Sequence, residues 1–258
     1  MRTIALMNQK GGSAKTTSTV NLAAALAAQK KRVLVLDLDP QANASNWLGV
    51  TDGGSDVLDV LKGERKLADC VRASSTKGVD LVPSSPWLAG AERTLAGEVG
   101  AEVALRKSVE KLPGGWDVLL VDCPPALGLL SVSALTACKE VLVPVESHTL
   151  ALSGLAHLVS TIERVRDRLN PSLRLSGILA CRVDTRKRLS QDVLSSLRER
   201  FGSEVFEAVV RENVRLAEAP SFQRDIFQYD PKSSGAEDYL AVGRELLSRA
   251  KARTKRPQ

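Results

Sequence analysis

The sequence predicts an α/β fold, a doubly wound, mostly parallel sheet with helices on both faces. Three observations carry that reading. Short runs rich in Val, Ile and Leu alternate with helix-length segments along the chain. Most of those runs are continuously apolar rather than alternating, as strands buried on both faces should be. A glycine-bearing loop, KGGSAKTT (10–17), falls between the first such run and the first helical segment.

The expected strands are TIALMN (3–8), RVLVLD (32–37), VDLVP (79–83), DVLLVD (117–122), EVLVPVE (140–146), LRLSGILACR (173–182) and EVFEAVV (204–210). Helical spacing marks 16–29, 92–111, 127–137, 150–169, 189–201 and 236–253. No repeat, low-complexity tract or linker interrupts the alternation. One P-loop domain over 1–250 is expected, followed by a basic tail over 251–258. In the last helix Tyr239, Leu240, Val242, Leu246, Leu247 and Ala250 recur at two to four residues. A membrane anchor would interleave bulky apolar residues with the terminal cations, and KARTKRPQ has none, so a helix packed on the sheet is expected.

Composition narrows the function classes. The chain has 258 residues, 43% hydrophobic and 26% charged, which is ordinary globular composition. An aromatic content of 3% argues against a stacking platform for single-stranded nucleic acid. MRTIALMNQ runs straight into a strand-like segment without the parts of a signal peptide, and no apolar run approaches about 18 residues, so a soluble cytoplasmic protein is expected. Cys70, Cys123, Cys138 and Cys181 stand far apart, as small buried hydrophobes in a reducing compartment would. With only His148 and His157 to add, a zinc site is not expected. The net charge of +6 permits acidic partners. Arg249, Lys251, Arg253, Lys255 and Arg256 crowd the last ten residues without an acid, yet a basic end is more often simply solvated.

KGGSAKTT departs from the standard phosphate-loop pattern G-x-x-x-x-G-K-[ST] at both glycines, with Gln9 at the first and Ala14 at the second. Its context still suits phosphate. Gly11 and Gly12 let the backbone approach an anion, and the first N–H groups of the following helix point at it. Lys15 can reach the β- and γ-phosphates, and Thr16 can offer its hydroxyl to Mg²⁺. Two further elements follow in order. LDLDPQ (36–41) ends a strand with Asp37 and Asp39 on one side, and VLLVDCPP (118–125) ends a strand in Asp122, a carboxylate suited to a Mg²⁺-bound water. Each Asp taken alone is as well read as a helix cap or turn former. Three in this order, at the carboxyl ends of strands, point to a nucleotide site.

These residues resemble the ParA/Soj group of deviant Walker A partition ATPases, relatives of MinD, whose loop K-G-G-x-x-K-[TS] is met in full. The likeness extends through NQKGG, DLDPQ, VDCPP with Leu127–Gly128, NVRLAEAPSF (213–222) and YDPKSSGAEDYL (229–240). It implies ATP and Mg²⁺ as cofactors. Nucleotide contacts would come from Lys10, Gly11, Gly12, Ser13, Ala14, Lys15, Thr16, Thr17 and Asn213, with Thr17 at the α-phosphate. Thr16, Asp37 and Asp122 would serve the metal, Asp37 in a switch segment and Asp122 as the Walker B residue. Lys10, Lys15 and Asp39 would be catalytic. Asp39 would position the attacking water, and Lys10 would cross an ATP-sandwiched homodimer to the partner's phosphates. Most relatives carry Val and Gly where this chain has Ser13 and Ala14, Gly in place of Ala42, and Pro-Arg in place of Arg211–Glu212. Ala14 therefore puts a methyl in a position suited to Gly.

CRVDTRKR (181–188) joins a strand to a helix and carries four cations against Asp184. A solvated charged face is the plain reading. The resemblance implies that Arg186 and Arg215 bind double-stranded DNA non-specifically in the ATP dimer, as loop arginines that contact phosphates without base readout would. It also implies a ParB-like activator, nucleoid association, and a role in chromosome or plasmid partitioning. The alternatives are a MinD-like or cargo-positioning ATPase switching on a membrane or other surface, against which the hydrophilic tail speaks, and a small-molecule ligase or iron-protein reductase of the wider class. The reductase would need cysteines placed to share a cluster across the dimer, and Cys123 follows the Walker B Asp inside a strand.

Overall fold

A computed structural model describes the chain except for Gly53, Ser55, Ala96, residues 148–150 and residues 255–258. For Glu92, 151–153 and 251–254 it describes the backbone alone. The side chains of the expected basic tail, 251–258, and His148 thus lie outside the described residues. Among the described residues, seven strands form one sheet: β1 (Arg2–Leu6), β2 (Val33–Asp37), β3 (Arg72–Ala73), β4 (Val79–Val82), β5 (Val118–Asp122), β6 (Glu140–Glu146) and β7 (Arg174–Cys181). Their order is β3-β4-β2-β5-β1-β6-β7, parallel throughout except for the short edge strand β3, which runs antiparallel to β4.

The helices are α1 (Lys15–Ala28), α2 (Asn43–Trp47), α3 (Asp56–Lys62), α4 (Ala91–Thr94), α5 (Ala101–Glu110), α6 (Leu129–Ala137), α7 (Ala151–Arg168), α8 (Arg188–Phe201), α9 (Val214–Glu218), α10 (Ile226–Tyr229) and α11 (Ser234–Thr254). Side chains of successive strand residues point to opposite faces, and both faces are covered. Ile4, Leu6, Val33, Val35, Val118 and Leu120 pack with α1, α2 and α11. Ala5, Leu34, Leu36, Leu119 and Val121 pack with α3, α5, α6, α7 and α8. Two apolar faces per strand are the reason the strand sequences read as unbroken hydrophobic runs.

After β1 the chain crosses through α1 toward β2; after β5 it crosses through α6 toward β6, the other way. The neighbours β1 and β5 are therefore the switch point, where loops part and leave a crevice at the strands' carboxyl ends.

Three expectations are corrected. EVFEAVV (204–210) is not a continuous strand: it meets β7 at the isolated bridge Ile178–Val205, and Phe206 N–H and Val210 N–H donate to Ile178 O and Ala180 O at 2.9 Å, but no regular ladder forms. The amides of Glu207 and Ala208 donate to the Glu245 carboxylate on α11, which takes them from the ladder. The helix expected over 92–111 is broken after Thr94 and restarts at Ala101, with Gly97 and Gly100 between them at φ +86° and +83°. β3 went unforeseen because two residues carry no periodicity. The Tyr239–Leu246 face of α11 packs in the core as expected, Tyr239 and Val242 being fully buried.

Candidate active site

The loop from β1 to α1 owes its shape to left-handed residues. Gly12 lies at φ +74°, and Ala14, the N-cap of α1, at φ +62°, ψ +24°. Glycine adopts that region freely, whereas an L-residue pays about 1–2 kcal/mol. The methyl of Ala14 is thus accommodated as backbone strain. Ala42, the N-cap of α2, repeats the pattern at φ +52°. Both are positions where the resemblance expects Gly. Ser13 is buried with no hydrogen-bond partner for its hydroxyl among the described residues.

Below the loop three carboxylates converge. Asp37 and Asp122 are opposed in the β2–β5 register, both fully buried. Thr16 Oγ1 donates to Asp122 Oδ2 at 2.7 Å, and Thr19 Oγ1 donates to Asp122 Oδ1 at 2.8 Å. Asp37 Oδ2 accepts from the N–H (2.9 Å) and the hydroxyl (2.7 Å) of Ser45, and Asp37 Oδ1 accepts from Asp39 N–H at 3.0 Å. Asp39 Oδ1 accepts from Gln41 N–H at 3.0 Å. Lys15 is buried and donates to Lys10 O at 3.3 Å.

Crowding acids out of water disfavours their charge. Burial first, and the Asp122 carboxylate second, push Asp37 up to about 8. Burial pushes Asp122 up to about 6, against the bonds from Thr16 and Thr19 and the charge of Lys15. Burial lowers Lys15, while Asp122 and Asp39 pull it back. All the donors here are hard oxygens, and a divalent cation would relieve the crowding that holds the Asp37 and Asp122 carboxyls up, so the set fits a Mg²⁺ ion.

Above the acids opens a cavity of about 550 Å³, a size suited to a nucleotide. Gly11, Gly12, Ser13, Ala14, Lys15, Thr16, Thr17 and Asp39 line one end. Val210, Arg211, Glu212, Asn213, Leu216 and Tyr239 line the other. The expected loop residues, Asp39 and Asn213 are thus brought to one cavity, with Asp37 and Asp122 beneath it. The Asn213 side chain has a second task. Its Oδ1 caps α9 by accepting from Arg215 and Leu216 N–H, and its Nδ2 donates to Ser234 Oγ at 2.7 Å. Arg211 is committed to α11, with its N–H on Asp238 Oδ2 at 2.8 Å and its guanidinium on Asp238 and Glu237.

Lys10 stands outside this lining, its ammonium 3.5 Å from Glu146 and its side chain 46% exposed. Arg186 and Arg215 also stand outside it. Arg186 forks onto Asp184, and Arg215 pairs with Glu218 (2.9 Å) and Asp230 (3.5 Å), both on the surface. Their loops are neighbours, because Glu212 N–H donates to Val183 O and Val183 bridges Arg211.

Thr19 and Ser45 escaped sequence reading. Thr19 was findable, since three residues after Thr16 is the same helix face. Cys123 is buried in the core with its thiol held well above its ordinary pKa by burial, so it is not placed to share a cluster across a subunit interface. No described helix is long and apolar enough to cross a membrane.

A family model described as an AAA domain matches residues 1–175. The chain is 47% identical over 249 residues to the chromosome-partitioning ATPase Soj of Thermus thermophilus, covering 96% of each chain. It is 41% identical over 250 residues to the chromosome partitioning protein ParA of Myxococcus xanthus, covering 96% of this chain and 88% of the relative. Among solved structures, cobyrinic acid a,c-diamide synthase from Mycobacterium smegmatis, with bound ATP analogue and magnesium, matches at TM-score 0.87 and 35% identity, covering 100% of this chain and 99% of that one.

Proposed function

The chain belongs to the ParA/Soj family of chromosome-partitioning proteins, and from that premise we propose that it is an ATPase whose ATP-bound homodimer binds DNA non-specifically, under a ParB-like activator. The observation that carries the reading is the convergence of Lys15, Thr16, Asp37, Asp39 and Asp122 at the mouth of one switch point, beneath a glycine loop and a helix N-terminus.

The loop amides and Lys15 hold the phosphates. Thr16, Asp37 and Asp122 would hold Mg²⁺, which would supply charge neutralisation to the phosphates. Asp39 faces the cavity and orients the attacking water. Lys10 completes the site from the partner protomer. Its contact to Glu146 is long at 3.5 Å, and Glu146 keeps Arg182 as a closer partner at 2.7 Å, so the lysine can be redirected without leaving that carboxylate unpaired. The guanidiniums of Arg186 and Arg215 are themselves exposed, which leaves both within reach of DNA phosphates. A two-fold dimer doubles that cationic footprint and adds avidity. Chromosome or plasmid partitioning is the cellular role this supports.

DNA retention measured without nucleotide, with ADP, with ATP and with a slowly hydrolysed analogue tests the reading. Binding is expected only with ATP and its analogue, without sequence preference, and falling steeply with salt. Equal binding in all four states would show that the nucleotide does not control the DNA surface.

A further inference from the structure

Two residues past β4 lies Ser84, which belongs neither to the phosphate loop nor to the three carboxylates. Its hydroxyl donates to Asp39 O at 2.6 Å, and its N–H donates to Ser45 Oγ at 2.9 Å. Ser45 Oγ donates on to Asp37 Oδ2, and Asp39 N–H returns to Asp37 Oδ1. The four bonds close a ring through Asp37, Asp39, Ser84 and Ser45, with exposures of 0%, 8%, 2% and 1%. Of the four, Asp39 alone lines the cavity. Ser84 sits behind the wall and cannot touch a ligand there.

What the ring holds is a strained turn. Ala42 N–H donates to Asp39 O at 2.8 Å, with Ala42 itself in the left-handed region at φ +52°. A conformation of that kind persists only where surrounding bonds over-determine it. The turn's own bonds are local, Gln41 N–H on Asp39 Oδ1 and Ala42 N–H on Asp39 O. Ser84 adds a tether from the segment after β4, and it grips the backbone of the residue that faces the cavity.

We infer that Ser84 is a positioning residue for the turnover step assigned to Asp39, fixing the Asp39–Ala42 turn so that the carboxylate is held toward the cavity. The inference rests on the ATPase reading above. Losing one neutral hydrogen bond should lower kcat about three- to tenfold. KM should stay within about twofold, because Lys15 and the loop amides are untouched.

The test compares the full-length parent with Ser84→Ala and Ser84→Thr in two assays. In steady-state hydrolysis, Ser84→Ala should lose kcat without a rise in KM, and Ser84→Thr, which keeps the hydroxyl, should restore it. In hydrogen exchange on the nucleotide-free protein, the 38–46 segment of Ser84→Ala should exchange about tenfold faster while α1 and β5 keep the parent rate. Unchanged kcat, a joint rise in KM, or acceleration spread evenly over the chain would overturn the assignment. A parent that hydrolyses no ATP would overturn the ATPase reading instead. The exchange comparison would still decide whether Ser84 holds the turn, since it uses no nucleotide.

Discussion

At the carboxyl end of the sheet, Lys15, Asp37 and Asp122 are buried, and short hydroxyl bonds from Thr16 and Ser45 hold the two carboxylates. On the neighbouring loops Arg186 and Arg215 are exposed, Arg186 paired with the buried Asp184 and Arg215 with the partly exposed Glu218. Both regions are rich in charge, but water separates their energetics. Inside, each charge is desolvated, so removing one partner leaves others uncompensated, and local effects are large. Outside, solvent and salt screen the Arg215 pair, so that arginine can trade a carboxylate for a phosphate at little cost. On the proposed function the labour divides accordingly, a rigid site for a small anion and an adaptable surface for a large one.

The sharpest way to break that comparison is Lys15→Ala. It removes the buried cation beside three carboxylates, and ATP affinity should fall about 100-fold or more, the worth of two charge-assisted hydrogen bonds. Titration calorimetry showing near-parent affinity would mean that the buried region is not the anion site. Asp39→Ala should reduce turnover about 100-fold while ATP binding and dimerisation persist, because water positioning is lost and phosphate contacts are not. Hydrolysis at the parent rate would move that role elsewhere, with Asp37 next.

At the surface, effects should be smaller and salt-dependent. Arg215→Glu should weaken ATP-dependent DNA binding about tenfold at moderate salt and flatten its log–log salt slope by about one unit, with Arg186→Glu milder. Light scattering should show the ATP dimer unaffected, since neither residue lines the cavity. An unchanged slope would remove Arg215 from the DNA surface.

Acidity separates the regions further. With Asp37 near 8 and Asp122 near 6, the folded chain binds more protons than the unfolded one between about pH 4 and pH 8. That contribution to stability is present at low pH and lost as pH rises through the window. In EDTA without nucleotide, Asp37→Asn should flatten this fall, so thermal melts should favour the variant more at pH 8 than at pH 5. Equal differences at both pH values would show that the carboxylates are not crowded. The smallest effect concerns Ala14. Ala14→Gly relieves the left-handed strain but loosens the unfolded chain, so a net gain of about 0.5 kcal/mol is expected, visible as a small rise in melting temperature.

The phosphate loop and Asp37, Asp39 and Asp122 were legible because each is a local pattern at the end of an apolar strand, and parallel strands bring their carboxyl ends together. Seven expected strands shrank to six plus an unforeseen edge strand. The Glu245 carboxylate, close to Glu207 and Ala208 only in the folded chain, takes their amides and interrupts the pairing of 204–210 with β7. Gly97 and Gly100 were in plain sight, yet the helical spacing around them prevailed in the reading.

By itself the sequence determined the fold class, six of the strands with the helices between them, and the phosphate-loop residues, Asp39 and Asn213 that line the cavity. Those follow from periodicity and chain punctuation, which act over a few residues. Only the tertiary structure decided that Ala14 and Ala42 take left-handed conformations, that Ser45 and Ser84 lock the carboxylate turn, and that Lys10 rests on Glu146. The Ser84 tether and the Lys10–Glu146 pair depend on contacts between distant segments, and burial, which no local pattern records, sets the strength of the bonds around Asp37.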